Sequence, residues 1–239
     1  MIFDKQWIVA HRGASGLVEH ENTIEAFQKA YELGCDSFEC DIRKTKDGVI
    51  VVCHNDDYKD KKIIDYTYEE LCAETSKEGF TMPIYEEMLK FIKGKIFMDV
   101  ELKEAGYEQE IVDITLKYLT VNEFFVRSFI GEAIKAIKEI NPEIKTVYLI
   151  GDDVPKYGIF TRIAELFPIH WIRKFKADMV SPHYLLVRFG FQKRMKRKGV
   201  PVLVWTVNDE ELMDKLLNKV HVDAIITNYP DKALALRKE

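Results

Sequence analysis

The sequence has little of what marks special architectures. It carries four cysteines in 239 residues, Cys35, Cys40, Cys53 and Cys72, with no C-x-x-C pair and no zinc-ligand spacing. A chain this long builds a core without disulfide staples, so these thiols are expected to be reduced residues in or near that core. No apolar run approaches the about 18 residues that a membrane span requires. The first nine residues hold Asp4 and Lys5 and lack the apolar core of a secretion signal, so a cytoplasmic protein is expected. A secreted chain trimmed of its signal would look the same. Only 7 Pro and 12 Gly are spread along the chain, and no composition shift marks a linker, so one domain spanning residues 1–239 is expected. Charge is nearly balanced, with 35 Lys and Arg against 40 Asp and Glu. A weakly acidic chain argues against a nucleic-acid partner, because binding to a phosphate backbone draws on massed cationic charge.

What is present is alternation. Short segments rich in β-branched and aromatic residues fall near 7–10, 37–42, 96–101, 124–128, 145–150, 177–181, 201–205 and 223–227. Helix-like segments fall between and after them, near 23–33, 84–93, 107–119, 130–140, 158–167, 187–198, 209–219 and 230–237. Asn22 or Thr23 can cap the first helix, Asn208 or Asp209 the seventh, and Gly34 sits where a helix stop belongs. Eight strands and eight helices make the count of an α/β TIM (β/α)8 barrel; an open doubly wound sheet is the alternative. Residues 43–83 break the alternation. Thr45-Lys46-Asp47-Gly48 has the turn chemistry of a hairpin, so Val49–Cys53 is an extra strand. Residues 55–83 are expected to be a small, polar, irregular insertion after the second strand, on the catalytic rim, with a solvated charged face. The basic run Lys193–Lys198 is also taken as a solvated helix face, with a partner surface there or in Met179–Phe191 as the alternative.

Functional side chains of such a barrel sit at the C-terminal ends of its strands. Strand one ends in His11-Arg12-Gly13, strand two carries Glu39-Cys40-Asp41, and the extra strand ends in His54. Strand three carries Asp99-Val100-Glu101-Leu102-Lys103, strand seven ends in Trp205-Thr206, and strand eight in Thr227-Asn228. Residues two apart on a strand share a face, so Glu39 and Asp41 point one way and Cys40 the other. Glu101 and Lys103 likewise share a face. Charged groups are buried in strands only when paired or metal-bound. Glu39, Asp41 and Glu101 in one mouth would repel, and a hard divalent cation, Mg²⁺ or Ca²⁺, would relieve that repulsion. Ion pairing with Arg12, Arg43 or Lys103 is the alternative. His11 and His54 are candidate acid and base, since imidazole titrates near neutrality. Arg12, Lys103 and a cation would bind a phosphate, which together describes displacement on a phosphodiester.

These residues resemble the glycerophosphodiester phosphodiesterase family. The resemblance rests on His11-Arg12-Gly13, Glu21-Asn22-Thr23, Glu39-x-Asp41, Thr45-Lys46-Asp47-Gly48 and His54. It continues through Glu101-Leu102-Lys103, Val204-Trp205-Thr206-Val207-Asn208 and Asp223–Pro230, essentially the whole chain. It implies a TIM barrel and a cation held by Glu39, Asp41 and Glu101. It implies His11 and His54 as general acid and base, Arg12 and Lys103 on the phosphate, and Trp205 as the substrate-pocket aromatic. Glu21 and Asn22 would hold the first loop. The implied reaction is metal-dependent hydrolysis of a small-molecule glycerophosphodiester to glycerol 3-phosphate and an alcohol. The chain departs from the family pattern twice: His20 replaces a Pro before Glu21, and Asn55 replaces an Asp after His54. The second departure leaves the partner that orients His54 open. The competing functions are phospholipase-D-like cleavage of a lysophospholipid on the same fold, and a non-catalytic phosphate-ester binding module.

Overall fold

The computed structural model describes residues 3–151 and 158–238, with the backbone alone at 159–160. The described strands, in chain order, are β1 (Trp7–Ala10), β2 (Ser37–Lys44), β3 (Ile50–Val52), β4 (Asp57–Tyr58), β5 (Lys61–Lys62) and β6 (Phe97–Leu102). They continue with β7 (Phe124–Ser128), β8 (Lys145–Ile150), β9 (Met179–Pro182), β10 (Leu203–Val204) and β11 (Ala224–Thr227). The helices are α1 (Ile24–Glu32), α2 (Tyr68–Thr75), α3 (Tyr85–Ile92), α4 (Glu108–Tyr118), α5 (Gly131–Ile140), α6 (Ile159–Leu166), α7 (Ile169–Lys174), α8 (Phe191–Arg197), α9 (Glu210–Asp214) and α10 (Pro230–Leu236). No helix among the described residues is long and apolar enough to cross a membrane.

Eight strands run parallel in the order β10-β11-β1-β2-β6-β7-β8-β9. Parallel bridges Val180↔Val202 and His183↔Trp205 join β9 to the β10 region and bring the sheet round to a nearly closed barrel. This is the expected TIM barrel rather than the open sheet. Period-two alternation then decides what fills it. Val9, Phe125, Val147, Met179, Leu203 and Ile226 pack together inside, with Trp7 and Phe97 toward the N-terminal end. Their neighbours Phe38, Cys40, Val100 and Val126 face the helix layer, where Phe27 of α1 meets Phe38 at 4.4 Å between rings. Cys40 thus points away from Glu39 and Asp41. All four cysteines are unpaired, two of them buried.

The 43–83 region is more ordered than its composition suggests. β3 pairs antiparallel with β2, with Arg43 opposite Val51. The turn between them closes through Gly48 N–H to the Thr45 carbonyl at 3.0 Å. Residues 55–83 are not irregular: they hold the β4–β5 hairpin and α2, which starts on a reciprocal capping box between Thr67 and Glu70. Ile63, Tyr66, Leu71 and Met82 gather over Val51 as a small separate core. Those apolar residues come singly among charges, without a helix or strand period, which is why the segment looked unstructured.

Other boundaries shift for local reasons. The helix near 158–167 ends before Pro168, which lacks a donor and disfavours a helical residue before it; α7 then follows as a separate turn. The expected helix over 187–198 begins only at Phe191, because Phe189 and Gly190 both take positive φ. α9 runs on as a π-helical segment, Lys215–Val220. The first and seventh caps are Thr23, accepting from Ala26 N–H at 3.2 Å, and Asp209, accepting from Leu212 N–H at 2.9 Å.

Candidate active site

The C-terminal rim gathers the side chains that the strand ends predicted. Glu39, Asp41 and Glu101 lie on adjacent strands, with Asp41 opposite Glu101 in the β2–β6 register. Each offers an oxygen within 4.8 Å of the others, and all three residues are buried. Their surroundings divide them. Asp41 lies 3.2 Å from Lys103 Nζ and 3.4 Å from Arg12 Nε, and accepts from Asn22 Nδ2 at 2.9 Å. Burial pushes its pKa up, but Lys103 and Arg12 outweigh that and hold it below the usual carboxylate range. Glu101 pairs with Lys103 at 2.7 Å. Burial works against the Lys103 charge as well, yet Glu101 and Asp41 raise its pKa and keep it an ammonium.

Glu39 has no such cation at hand. One oxygen accepts the Arg12 backbone N–H at 3.0 Å, and the other, Oε1, is buried with no hydrogen-bond partner among the described residues. Burial, then Asp41 and Glu101, push its pKa well above the ordinary value. A buried, unpartnered carboxylate oxygen facing two more carboxylates fits a hard divalent cation, and an all-oxygen donor set suits Mg²⁺ or Ca²⁺. The ion-pair alternative therefore describes Asp41 and Glu101 but not Glu39. Arg43 joins neither; it binds Glu104 at 2.7 Å and the His54 carbonyl at 2.8 Å.

The two histidines flank this cluster. His11 Nδ1 lies 2.6 Å from Asn228 Oδ1, and its Nε2 lies 3.9 Å from Glu39 Oε2. An amide oxygen only accepts, so Nδ1 carries the proton and the Nε2 lone pair faces the carboxylates. Burial, aided by the Arg12 charge, pushes the His11 pKa down to about 3. His54 Nδ1 lies 2.8 Å from Asn55 Oδ1, which fixes the same tautomer. Burial lowers the His54 pKa too. Asn55 can thus orient the ring where the family pattern has an Asp.

The first loop is held by backbone as much as by side chains. Arg12 and Asn22 both adopt left-handed φ, 55° and 57°, a conformation that non-glycine residues rarely take. Asn22 N–H binds the Arg12 carbonyl at 2.9 Å, and Glu21 takes Arg12 Nη1 at 2.7 Å. Gly13, at φ +77°, lets the loop press on α1, since a Cβ there would lie 2.6 Å from Ala26 backbone. His20, in the position of the family's Pro, stacks on Phe80 of the 55–83 segment at 4.5 Å.

Arg12, His54, Glu101, Lys103, Phe129 and Trp205 line a cavity of about 530 Å³, within the range for small-molecule sites. The Trp205 ring sits edge-on to Phe129 at 5.5 Å and to His183 at 5.2 Å, and its indole N–H binds the Ser181 carbonyl at 2.9 Å. A larger cavity of about 700 Å³ opens at the opposite end of the barrel among Phe3, Trp7, Phe97 and Phe125. Its ionisable lining residues are already partnered, Lys145 lying 3.6 Å from Asp178 and Asp223 accepting from Val202 N–H at 2.9 Å, and that end of a TIM barrel serves stability.

Residues 11–232 match the model of the Glycerophosphoryl diester phosphodiesterase family. The chain belongs to this family. It is 28% identical to a glycerophosphodiester phosphodiesterase of Caldanaerobacter subterraneus subsp. tengcongensis, over 97% of this chain and 98% of that one. The solved glycerophosphodiester phosphodiesterase of Thermotoga maritima superposes with a TM-score of 0.78 at 27% identity, covering 97% of this chain and 98% of that one. The Oleispira antarctica phosphodiesterase, solved with its product sn-glycerol-3-phosphate, gives 0.81 at 23% identity over 98% and 96%. The protein is therefore an enzyme, a phosphoric diester hydrolase of the glycerophosphodiester class.

Within this glycerophosphodiesterase barrel, the sequence left one feature unseen. Arg127 and Asp99, both buried on adjacent strands, form an ion pair at 3.0 Å beneath the carboxylate cluster. Arg127 also donates to Ser181 Oγ. Phe-Phe-Val-Arg-Ser has the look of an ordinary buried strand, and only the unmatched Arg hinted at a partner. Burial pushes Asp99 up to about 6 even with Arg127 beside it. Asn228 was placed at a strand end without a role; its contact with His11 supplies one.

Proposed function

We propose that this enzyme cleaves a glycerophosphodiester to glycerol 3-phosphate and an alcohol, with His11 and His54 moving the protons and Glu39, Asp41 and Glu101 holding Mg²⁺ or Ca²⁺. The observation that carries the reading is the partnerless Glu39 Oε1 inside a carboxylate triad flanked by two imidazoles of fixed tautomer. The cation, when bound, supplies Lewis-acid polarisation of a phosphoryl oxygen. Arg12 and Lys103 border the cavity and offer charge-assisted donors to the remaining phosphate oxygens. One histidine, neutral with a free Nε2, takes the proton of the nucleophile, and the other, which enters the step as the imidazolium, gives its Nε2 proton to the leaving alkoxide, so that the pair exchanges protonation states in the step. Trp205 and Phe129 form an apolar wall for the glycerol or alcohol moiety.

The test is glycerol 3-phosphate release from glycerophosphocholine, with lysophosphatidylcholine as the competing substrate. Release is expected from glycerophosphocholine, lost with a chelator and restored by Mg²⁺ or Ca²⁺. His11→Ala or His54→Ala is expected to lower kcat by about 10²–10⁴-fold with the circular dichroism spectrum unchanged. Near-wild-type turnover in either variant would remove that histidine from proton transfer. Faster cleavage of lysophosphatidylcholine would make the enzyme phospholipase-D-like. Substrate binding without product, with metal present, would leave only a binding module.

A further inference from the structure

The basic run Lys193–Lys198 has companions that its sequence does not show. Residues 162–198 hold ten Lys and Arg against two Asp and Glu, whereas the rest of the chain holds 25 against 38. α8 buries Phe191, Gln192 and Met195. Lys193, Lys196 and Arg197, three and four residues apart, share the outward face and are exposed. None of the three pairs with an acidic side chain among the described residues.

Apolar side chains border this face. Phe189, just before α8, is 83% exposed, the most exposed large hydrophobic residue described. It is held at φ 49°, a left-handed conformation unfavourable for a bulky residue. Arg194 explains how it is held. Its guanidinium donates to the Phe189 carbonyl and, at 2.8 Å, to the Leu166 carbonyl, and lies 4.7 Å from the centre of the Phe167 ring. Phe167 is itself 58% exposed. One arginine therefore ties two turns together, each presenting an aromatic ring to solvent. Leu185, 49% exposed, extends this ridge toward the active site: the neighbouring Tyr184 N–H binds the Trp205 carbonyl at 2.8 Å.

Strain spent on presenting a phenyl ring to water is unexplained by the fold alone. Exposed aromatic and aliphatic groups beside a cationic helix face match the interface of an anionic bilayer, where the rings enter the acyl boundary and the lysines meet headgroup phosphates. A nucleic acid would use the cations but would leave Leu185 without a partner. We propose that the Leu185–Phe189 turn, Phe167 and the outward face of α8 form a docking surface for an anionic lipid bilayer, seated beside the mouth of the active site. None of these residues belongs to the site proposed for hydrolysis, so the two readings fail separately.

The experiment is co-sedimentation of the full chain with phosphatidylcholine vesicles, with and without one quarter phosphatidylglycerol, at low and high salt. Binding to the anionic vesicles is expected, at least about tenfold tighter than to neutral ones and weakened by salt, since each basic residue near such a surface is worth about fivefold. Phe189→Asp is expected to weaken it at least about fivefold, and the triple variant Lys193→Glu, Lys196→Glu, Arg197→Glu at least about tenfold. Both variants are expected to keep wild-type turnover of soluble glycerophosphocholine, which shows that they fold. Absence of wild-type binding to anionic vesicles would overturn the proposal. So would wild-type binding by Phe189→Asp, because the ring would then play no part. Binding to a duplex oligonucleotide that outcompetes the vesicles would reassign the basic face to nucleic acid.

Discussion

His11 combines a buried ring, 16% exposed at its side chain, with a nearby permanent cation in Arg12. The fold therefore favours the neutral imidazole, and a depressed folded pKa has a definite sign. The stabilisation is complete above the unfolded value of 6.5 and is lost as pH falls toward the folded value of about 3. In chelator, lowering pH from 6.5 to 5 should cost the wild type up to about 2 kcal/mol relative to His11→Gln, at about 1.4 kcal/mol per pH unit. Comparing the two by urea unfolding cancels the carboxylates they share. Parallel pH dependence in the pair would show that the ring titrates normally. At this scale the sequence was most informative. Glu39, Asp41 and Glu101 could be placed on one face from a period of two, and His11 and His54 at strand ends. It was silent on partners: that Asn228 holds His11, or that Arg127 answers Asp99, depends on strand register and closure, which no local pattern encodes.

At the scale of elements, the β2–β3 hairpin matters most to the site, because it leads directly to His54. Its turn was legible in Asp47-Gly48, and the structure shows why glycine is needed: φ at Gly48 is +86°. A Cβ there would meet only Lys44 Cε, at an ordinary 3.7 Å, so space is not the constraint. Gly48→Ala should therefore register backbone strain alone, lowering the unfolding free energy by about 1–2 kcal/mol. It should leave the KM for glycerophosphocholine within about twofold, since the turn lies away from the cavity lining. An unchanged midpoint in urea would mean that the hairpin re-forms with another turn type. The strands and most helices were legible because a barrel repeats one pattern eight times. The 55–83 segment was not, since its four-residue core is assembled by tertiary contact with Val51 rather than by any local period.

Across the whole molecule, a formal charge of −5 hides an uneven distribution. Four buried carboxylates, Glu39, Asp41, Asp99 and Glu101, crowd the upper barrel, and Arg12, Lys103 and Arg127 answer them only in part. Folding without a cation must bury Glu39 with an unsatisfied oxygen, whereas an ion bound to the native state alone adds stability by mass action. At about 100 times its dissociation constant, Mg²⁺ or Ca²⁺ should contribute about 2.7 kcal/mol. For a chain of this size that corresponds to a Tm higher by about 5–10 °C than in chelator. Glu39→Gln tests the assignment, since the amide keeps the shape and the acceptor to Arg12 N–H but removes the charge. It should raise the metal-free Tm, by relieving the repulsion, and nearly abolish the metal-induced increment. A wild-type Tm that is the same with metal and with chelator would take the cation out of the barrel, and the excess charge would then have to be carried by a proton on Glu39.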